Sequence, residues 1–202
     1  MDLLYINLIP TTERLAFEKK VRDVAAALKT EPNWLMQVMK AESGLNPAAR
    51  NTYAPFVDGY ATGLIQFTPS TARSLGTTTQ ALEKMSRIEQ MDYVYKYLKP
   101  YTGKLNSYYD TYLVVFFPAA IGKPDNYVFE TKSISRASIA KANPAININK
   151  DGLITMAEFK QYLKNTVAKS LWSHVFDIGT KPMVAITGIL LLIGLGFLIY
   201  NG

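Results

Sequence analysis

The end of the chain constrains it most. Met183 to Tyr200 reads MVAITGILLLIGLGFLIY, 18 residues without one charged side chain. A helix rises about 1.5 Å per residue, so this run spans roughly 27 Å, close to the hydrocarbon thickness of a bilayer. A helix that is apolar all round has no face to turn to water. The expectation is a single-pass transmembrane helix over 183–200, preceded by Lys181 and Pro182 and followed by Asn201 and Gly202. A buried core helix is the competing reading.

The remaining residues suffice for one domain of ordinary size with appendages. Of the 202 residues, 49% are hydrophobic and 19% charged, enough apolar material for a core and too little charge for a disordered chain. The net charge of +6 favours polyanionic partners: anionic lipid, acidic cell-wall glycan or nucleic acid. No Lys/Arg run or basic helix stands out, so nucleic acid is not expected as a partner. Cysteine is absent, which excludes disulfides and thiolate chemistry. The single histidine, His174, excludes a His-based metal site and a Ser/His triad. Met1 to Pro10 is apolar but lacks a basic start and is too short for a cleavable export signal.

Periodicity predicts mostly helix. Phe17, Val21, Val24 and Leu28 form one stripe, giving a helix over Glu13–Lys29 with Thr11 or Thr12 as its cap. Pro32 suits the first turn of a second helix, which ends at Gly44, a residue fit for the left-handed position after a helix. An Asn-, Pro- and Ala-rich loop follows over Leu45–Tyr60. Further helices are expected over Pro69–Leu75 and Thr79–Leu98, the latter with Leu82, Met85, Ile88, Tyr95 and Leu98 as core positions. Ser107–Phe117 reads as a buried helix, Asn126–Asn143 as an irregular connection, and Thr155–Trp172 as a last helix before the apolar run. The fold class is all-α, with any sheet small.

Glu42 carries the first chemical signal. Leu35, Val38 and Glu42 share a face of the second helix, being seven and four residues apart. Glu42 thus extends an apolar stripe in the last helical turn. Desolvation and the negative end of the helix dipole both favour its protonated form, as a general acid requires. By pattern alone, a solvated glutamate near a helix end accounts for it as well.

Two motifs sharpen this. Ala41-Glu42-Ser43-Gly44-Leu45-Asn46-Pro47 resembles the ESGxNP signature of the lysozyme-like soluble lytic transglycosylases. Ala61-Thr62-Gly63-Leu64-Ile65-Gln66-Phe67, followed by Pro69-Ser70-Thr71-Ala72, resembles that family's GLMQ and PSTA run. The motifs stand in the family's order, about 20 residues apart, and the resemblance covers Leu28 to Asn126. It implies a helical lysozyme-like domain over 13–145, between an N-terminal segment 1–12 and a connecting region 146–180. It implies peptidoglycan as substrate and no required cofactor. Glu42 is the implied catalytic acid and base, producing a 1,6-anhydro sugar without a second carboxylate, unlike most glycosidases. Asp58 is the nearby alternative carboxylate; a water held there opposite Glu42 makes the enzyme a hydrolase instead. Ser43, Gly63 and Gln66 are implied substrate contacts, while a plain turn at Gly63 and a helix cap at Gln66 stay open. The family's third signature, an AYNAG-like run, has Phe116-Phe117-Pro118-Ala119-Ala120-Ile121-Gly122 as its best-placed counterpart. Phe117 lacks the family tyrosine's hydroxyl, so either it only packs or a tyrosine such as Tyr112 supplies that group.

Asn147 to Glu158 fits the spacing of an EF-hand loop. Asn147, Asn149 and Asp151 stand at positions 1, 3 and 5, Gly152 at 6, the Leu153 carbonyl at 7 and Glu158 at 12. Such a loop gathers oxygens around a hard cation, making Ca²⁺ the candidate ligand. Asn at position 1 and the lack of a second hand favour the alternative, a turn that caps the next helix.

Lys160, Lys164, Lys169 and Lys181 all precede the apolar run, which places the domain on the cytoplasmic side of a membrane. An exported wall enzyme is not built this way. The expectation is an enzyme on the internal membrane of a phage virion, contacting the bilayer through 183–200 and capsid or vertex proteins, and opening the wall at entry. A tail-anchored endolysin and a non-catalytic virion membrane protein remain as alternatives.

Overall fold

The protein is seen here as a computed structural model that describes residues 2–52 and 56–176. The expected membrane span 183–200 lies outside them, and no helix among the described residues is long and apolar enough to cross a membrane. The described chain is helical, with isolated β-bridges as its extended pairing. It divides into two compact units, 2–111 and 112–176.

In the first unit, α1 (Thr11–Leu28) buries the expected stripe of Phe17, Val21, Val24 and Leu28. Its cap is not Thr11 or Thr12: the helix starts from Pro10, whose carbonyl accepts from the amides of Glu13 and Arg14. A proline can open a helix because no helical turn precedes it, so neither its missing N–H nor its ring disturbs one, and its carbonyl is free to accept. α1 packs against α2 (Pro32–Ser43) and α5 (Arg87–Leu98). The N-terminal segment belongs to this core, with Leu3, Leu4 and Ile9 buried. Its Leu4 amide donates to buried Asn33, and Tyr5 Oη donates to buried Gln37, one turn further along α2.

α3 (Pro69–Ser74) and α4 (Thr79–Glu83) are short, each capped by the threonine before it. The single helix expected over Thr79–Leu98 is in fact two, α4 and α5. Ser86 and Glu89 form a reciprocal capping box, whose side chains satisfy the first free amides of a new helix. The interruption leaves Leu82 and Leu98 buried but Met85, Ile88 and Tyr95 only partly so, and it puts Gln90, Met91 and Val94 in the core. α6 (Tyr108–Phe116) is helical as expected, and the unit boundary falls within it.

The second unit has a core of aromatic rings. Phe116 stacks on Phe159 at 5.3 Å, and Phe117 stacks on Phe129 at 4.7 Å. The stretch expected to be irregular holds α7 (Arg136–Ala142), started by the Ser135 side chain. The helix expected over Thr155–Trp172 is α8 (Met156–Thr166), followed by a 3₁₀ turn and the short α9 (Trp172–Val175). Val167 leaves the helical region and ends α8 there.

Candidate active site

The first signature is the C-terminal end of α2. Leu35 and Val38 are buried, and Glu42 on the same face is half-buried, at the point where the stripe reaches the surface. The helix closes on two left-handed residues, Gly44 (φ 63°) and Leu45 (φ 68°). The amides of Gly44 and Leu45 return to the carbonyls of Lys40 and Met39, satisfying groups that a helix end leaves open. A left-handed leucine is strained; burial of its side chain against the core holds it there. Asn46 Oδ1 then accepts from the Ala48 amide, turning the chain toward Ala49.

The second signature is a tight loop. Thr62 and Phe67 exchange both backbone hydrogen bonds, at 2.9 and 2.8 Å, and enclose Gly63 to Gln66. Gln66 is left-handed at φ 55°, a strained state of the sort that clusters at functional sites. Its Nε2 donates to the carbonyls of Gly63 (2.9 Å) and Ala49 (3.2 Å). With both amide protons so placed, Oε1 is the polar atom left to receive a donor from a ligand.

The two signatures are docked on one another. The Gly63 amide donates to the Ala49 carbonyl at 2.9 Å, Arg50 and Thr62 form a β-bridge, and Ser43 Oγ reaches the Leu64 carbonyl at 3.0 Å. Ser43, Gly63 and Gln66 are therefore brought together beside the helix end that carries Glu42. Sequence reasoning missed the residue beneath them. Gln90 of α5 is fully buried; its Oε1 accepts from the Leu64 amide (2.9 Å), and its Nε2 donates to the carbonyls of Pro47 (2.6 Å) and Leu82 (2.7 Å). Gly63 (φ 87°) leaves room for it, since a Cβ there would stand 2.5 Å from Gln90 Oε1. The available signal was the four-residue spacing of Gln90, Val94 and Leu98, which puts an amide on an apolar stripe.

Asp58, the alternative carboxylate, is paired with Arg73 of α3. Tyr112 and Phe117 belong to the second unit. Tyr112 packs edge-on against Phe159, and Phe117 lies buried on Phe129, so the third signature's counterpart contributes to an aromatic core.

The loop 147–158 also lies in that unit. Asn149 Nδ2 donates to Asp151 Oδ2, and Asp151 Oδ1 accepts from the Leu153 amide. Glu158 accepts from the Asn149 amide through Oε1 and forms a capping box with Thr155 through Oε2. The Ile154 carbonyl accepts from the Phe129 amide, so a segment of this chain stands where a second hand would pair. Asn147 Oδ1, at position 1, is buried without a hydrogen-bond partner. Among the described residues no group of three or more His, Cys, Asp or Glu is placed to hold a metal ion.

A helical domain with a half-buried glutamate at a helix end, docked on a strained amide-bearing loop, has the organisation of a lysozyme-like glycan-cleaving domain. The chain belongs to the transglycosylase SLT domain family, whose pattern it matches over residues 20–120. Comparison with curated proteins and with solved structures yields no match. The family match supplies the class of activity, peptidoglycan lytic transglycosylase, and peptidoglycan as the substrate.

Proposed function

We propose that this chain cleaves the β-1,4 bond between N-acetylmuramic acid and N-acetylglucosamine by intramolecular transglycosylation, with Glu42 as the single acid and base. The docking of Ser43 onto the Leu64 carbonyl carries this reading, because it joins the acid's helix end to the loop of Gln66. Glu42 protonates the leaving glycosidic oxygen as the bond to C1 breaks. It then removes the proton of the muramic C6 hydroxyl, whose oxygen forms the new bond to C1. The product is a 1,6-anhydro sugar, and no water is consumed. Ser43, Gly63 and Gln66 bind and orient the sugar, and the route needs no cofactor. Engagement of Asp58 by Arg73 favours this single-carboxylate route over hydrolysis. The test is peptidoglycan digestion by the purified chain. Anhydro-muropeptides that vanish in Glu42→Gln are expected; reducing-end products indicate a hydrolase, and binding without cleavage indicates a non-catalytic virion protein.

The run 183–200 and the lysines before it support a place on a membrane, the internal membrane of a phage virion, with capsid or vertex proteins nearby and wall opening at entry as the task. Co-flotation of the full chain with lipid vesicles is expected, and loss of flotation on deleting 183–200. Detection only in lysing cells, never in purified virions, turns the reading to an endolysin. The buried, unpartnered Asn147 oxygen supports Ca²⁺ as a ligand of the 147–158 loop, through Asn147, Asn149, Asp151, the Leu153 carbonyl and Glu158.

A further inference from the structure

Gln90 is a polar residue with no accessible surface, and every polar atom of its side chain is engaged. Both amide protons and the carbonyl oxygen are engaged, each with backbone and each with a different segment. Pro47 ends the first signature, Leu64 lies inside the second, and Leu82 lies near the end of α4. An amide is the one side chain that can donate twice and accept once from a single planar end. A glutamate there would set a carboxylate against two carbonyls, and an apolar residue would leave the Leu64 amide without its acceptor. The contact is also steric. Gly63 has room for no Cβ, because Gln90 Oε1, Cδ and Nε2 would lie 2.5, 3.0 and 3.1 Å from it. Three hydrogen bonds hold that amide, so it cannot swing aside.

Leu64 transmits the constraint. Its amide is held by Gln90, and its carbonyl accepts from Ser43 Oγ, the residue beside Glu42. Gln90 therefore reaches the acid's helix end through one residue, Leu64, whose N–H and C=O belong to successive peptide units, and the Gln66 loop through Gly63 and Leu64. We propose that Gln90 is the positioning residue of this site, setting the separation between Glu42 and the Gln66 amide. The proposal rests on the transglycosylase reading given above. It assigns Gln90 an effect on the chemical step rather than on substrate capture. A sub-ångström shift of Glu42 against the sugar leaves binding nearly intact but spoils the approach of the C6 oxygen to C1.

The experiment compares the full chain with Gln90→Met, which keeps the volume and removes all three hydrogen bonds, and with Gln90→Asn, which keeps an amide one methylene short. Steady-state digestion of soluble glycan strands is read as kcat and KM, normalised to the folded fraction from the thermal melt, with anhydro and reducing-end products counted separately. The expected result for Gln90→Met is a fall in kcat on the order of tenfold to a hundredfold. KM stays within about threefold of wild type, and the share of reducing-end product rises as water competes with the displaced C6 hydroxyl. Gln90→Asn lies between. Wild-type kcat and product ratio in folded Gln90→Met overturn the proposal, as does a loss that merely follows the folded fraction. A wild-type chain that makes no anhydro product overturns the transglycosylase reading itself. Should both variants fail to fold, Gly63→Ala supplies the measurement, since it presses on the same amide from the other side. It then shows the same fall in kcat and the same rise in reducing-end product, with KM left out of the comparison because Gly63 also contacts the sugar; a wild-type kcat and product ratio in folded Gly63→Ala overturn the proposal.

Discussion

Ser43 Oγ lies 3.0 Å from the carbonyl oxygen of Leu64 and 3.0 Å from that of Met39. One hydroxyl proton serves one acceptor at a time, so the tie to Leu64 competes with the local bond back along the helix. The sequence motif marks Ser43 as a sugar contact, and its geometry gives it a second task as the clasp between the two signatures. Ser43→Ala removes the clasp and leaves the Leu64 carbonyl without that donor. A loss of about 1 kcal/mol is expected, seen as a melting temperature lower by roughly 2–4 °C. Activity on peptidoglycan falls on the order of tenfold, because the loop is no longer held against the acid's helix. An unchanged melting temperature would show that the Met39 bond alone occupies the hydroxyl.

Asp58 separates the two chemistries open to a single-glutamate site. Its partner Arg73 is more than half exposed, so the pair is a surface ion pair. Such pairs contribute about 0–1 kcal/mol. Asp58→Asn is therefore expected to leave stability within about 1 kcal/mol of wild type. Turnover and the anhydro character of the products stay as in the wild type. Loss of turnover, or a switch from reducing-end to anhydro products on substitution, assigns Asp58 the water and makes the enzyme a hydrolase. Liquid chromatography with mass detection separates the products by the mass of one water.

The helical class and the end of α2 were legible because each rests on local rules, and the site's two signatures were legible through their resemblance to a known family. The stripe of Phe17, Val21, Val24 and Leu28 needs only the helical period, and Gly44 needs only the left-handed turn that ends α2. The split between α4 and α5 was legible in principle too, since Ser86 and Glu89 have capping-box spacing. An apolar period running through the break concealed it. The spacing of Gln90 with Val94 and Leu98 marked it as a candidate for burial, but its bonding partners were not legible. Its partners are three backbone groups, 43, 26 and 8 residues away, and carbonyls and amides carry no mark in a sequence. The burial of Tyr112 and Phe117 was legible in the buried-helix reading of Ser107–Phe117, but their ring partners, Phe159 and Phe129, are brought to them only by the folded second unit.

Tyr5 gives a prediction in pH. Burial pushes its phenol up from 10.0 to about 12, partly offset by the hydrogen bond to Gln37. The folded value lies above the unfolded one, so the neutral phenol is the form the fold favours. Its contribution is complete below pH 10, declines as the unfolded phenol ionises, and is lost as the pH passes about 12. Chemical denaturation midpoints should therefore fall between these values, and Tyr5→Phe should fall less steeply there. Below pH 10 the same variant should be less stable by about 1–2 kcal/mol, because buried Gln37 loses the donor to its Oε1. Equal slopes in the alkaline range would place the phenol in water instead.

Calcium is the remaining test of the second unit. Two carboxylates, Asp151 and Glu158, give the 147–158 loop little charge, which argues for weak affinity. The buried Asn147 oxygen argues for a cation nonetheless, since an unsatisfied buried acceptor is destabilising until something meets it. At a Ca²⁺ concentration ten times the dissociation constant, linkage predicts about 1.4 kcal/mol of added stability. Mg²⁺ should do less, because it demands octahedral geometry and gives up its water reluctantly. Asn147→Ala separates this from a purely structural turn. It removes one ligand and the orphaned oxygen but leaves the Thr155–Glu158 capping box in place. Its melting temperature in chelator should equal or exceed that of the wild type, and its response to Ca²⁺ should disappear. A calcium response shared by both proteins would locate the ion elsewhere, and no response in either would make the loop the start of α8 and nothing more.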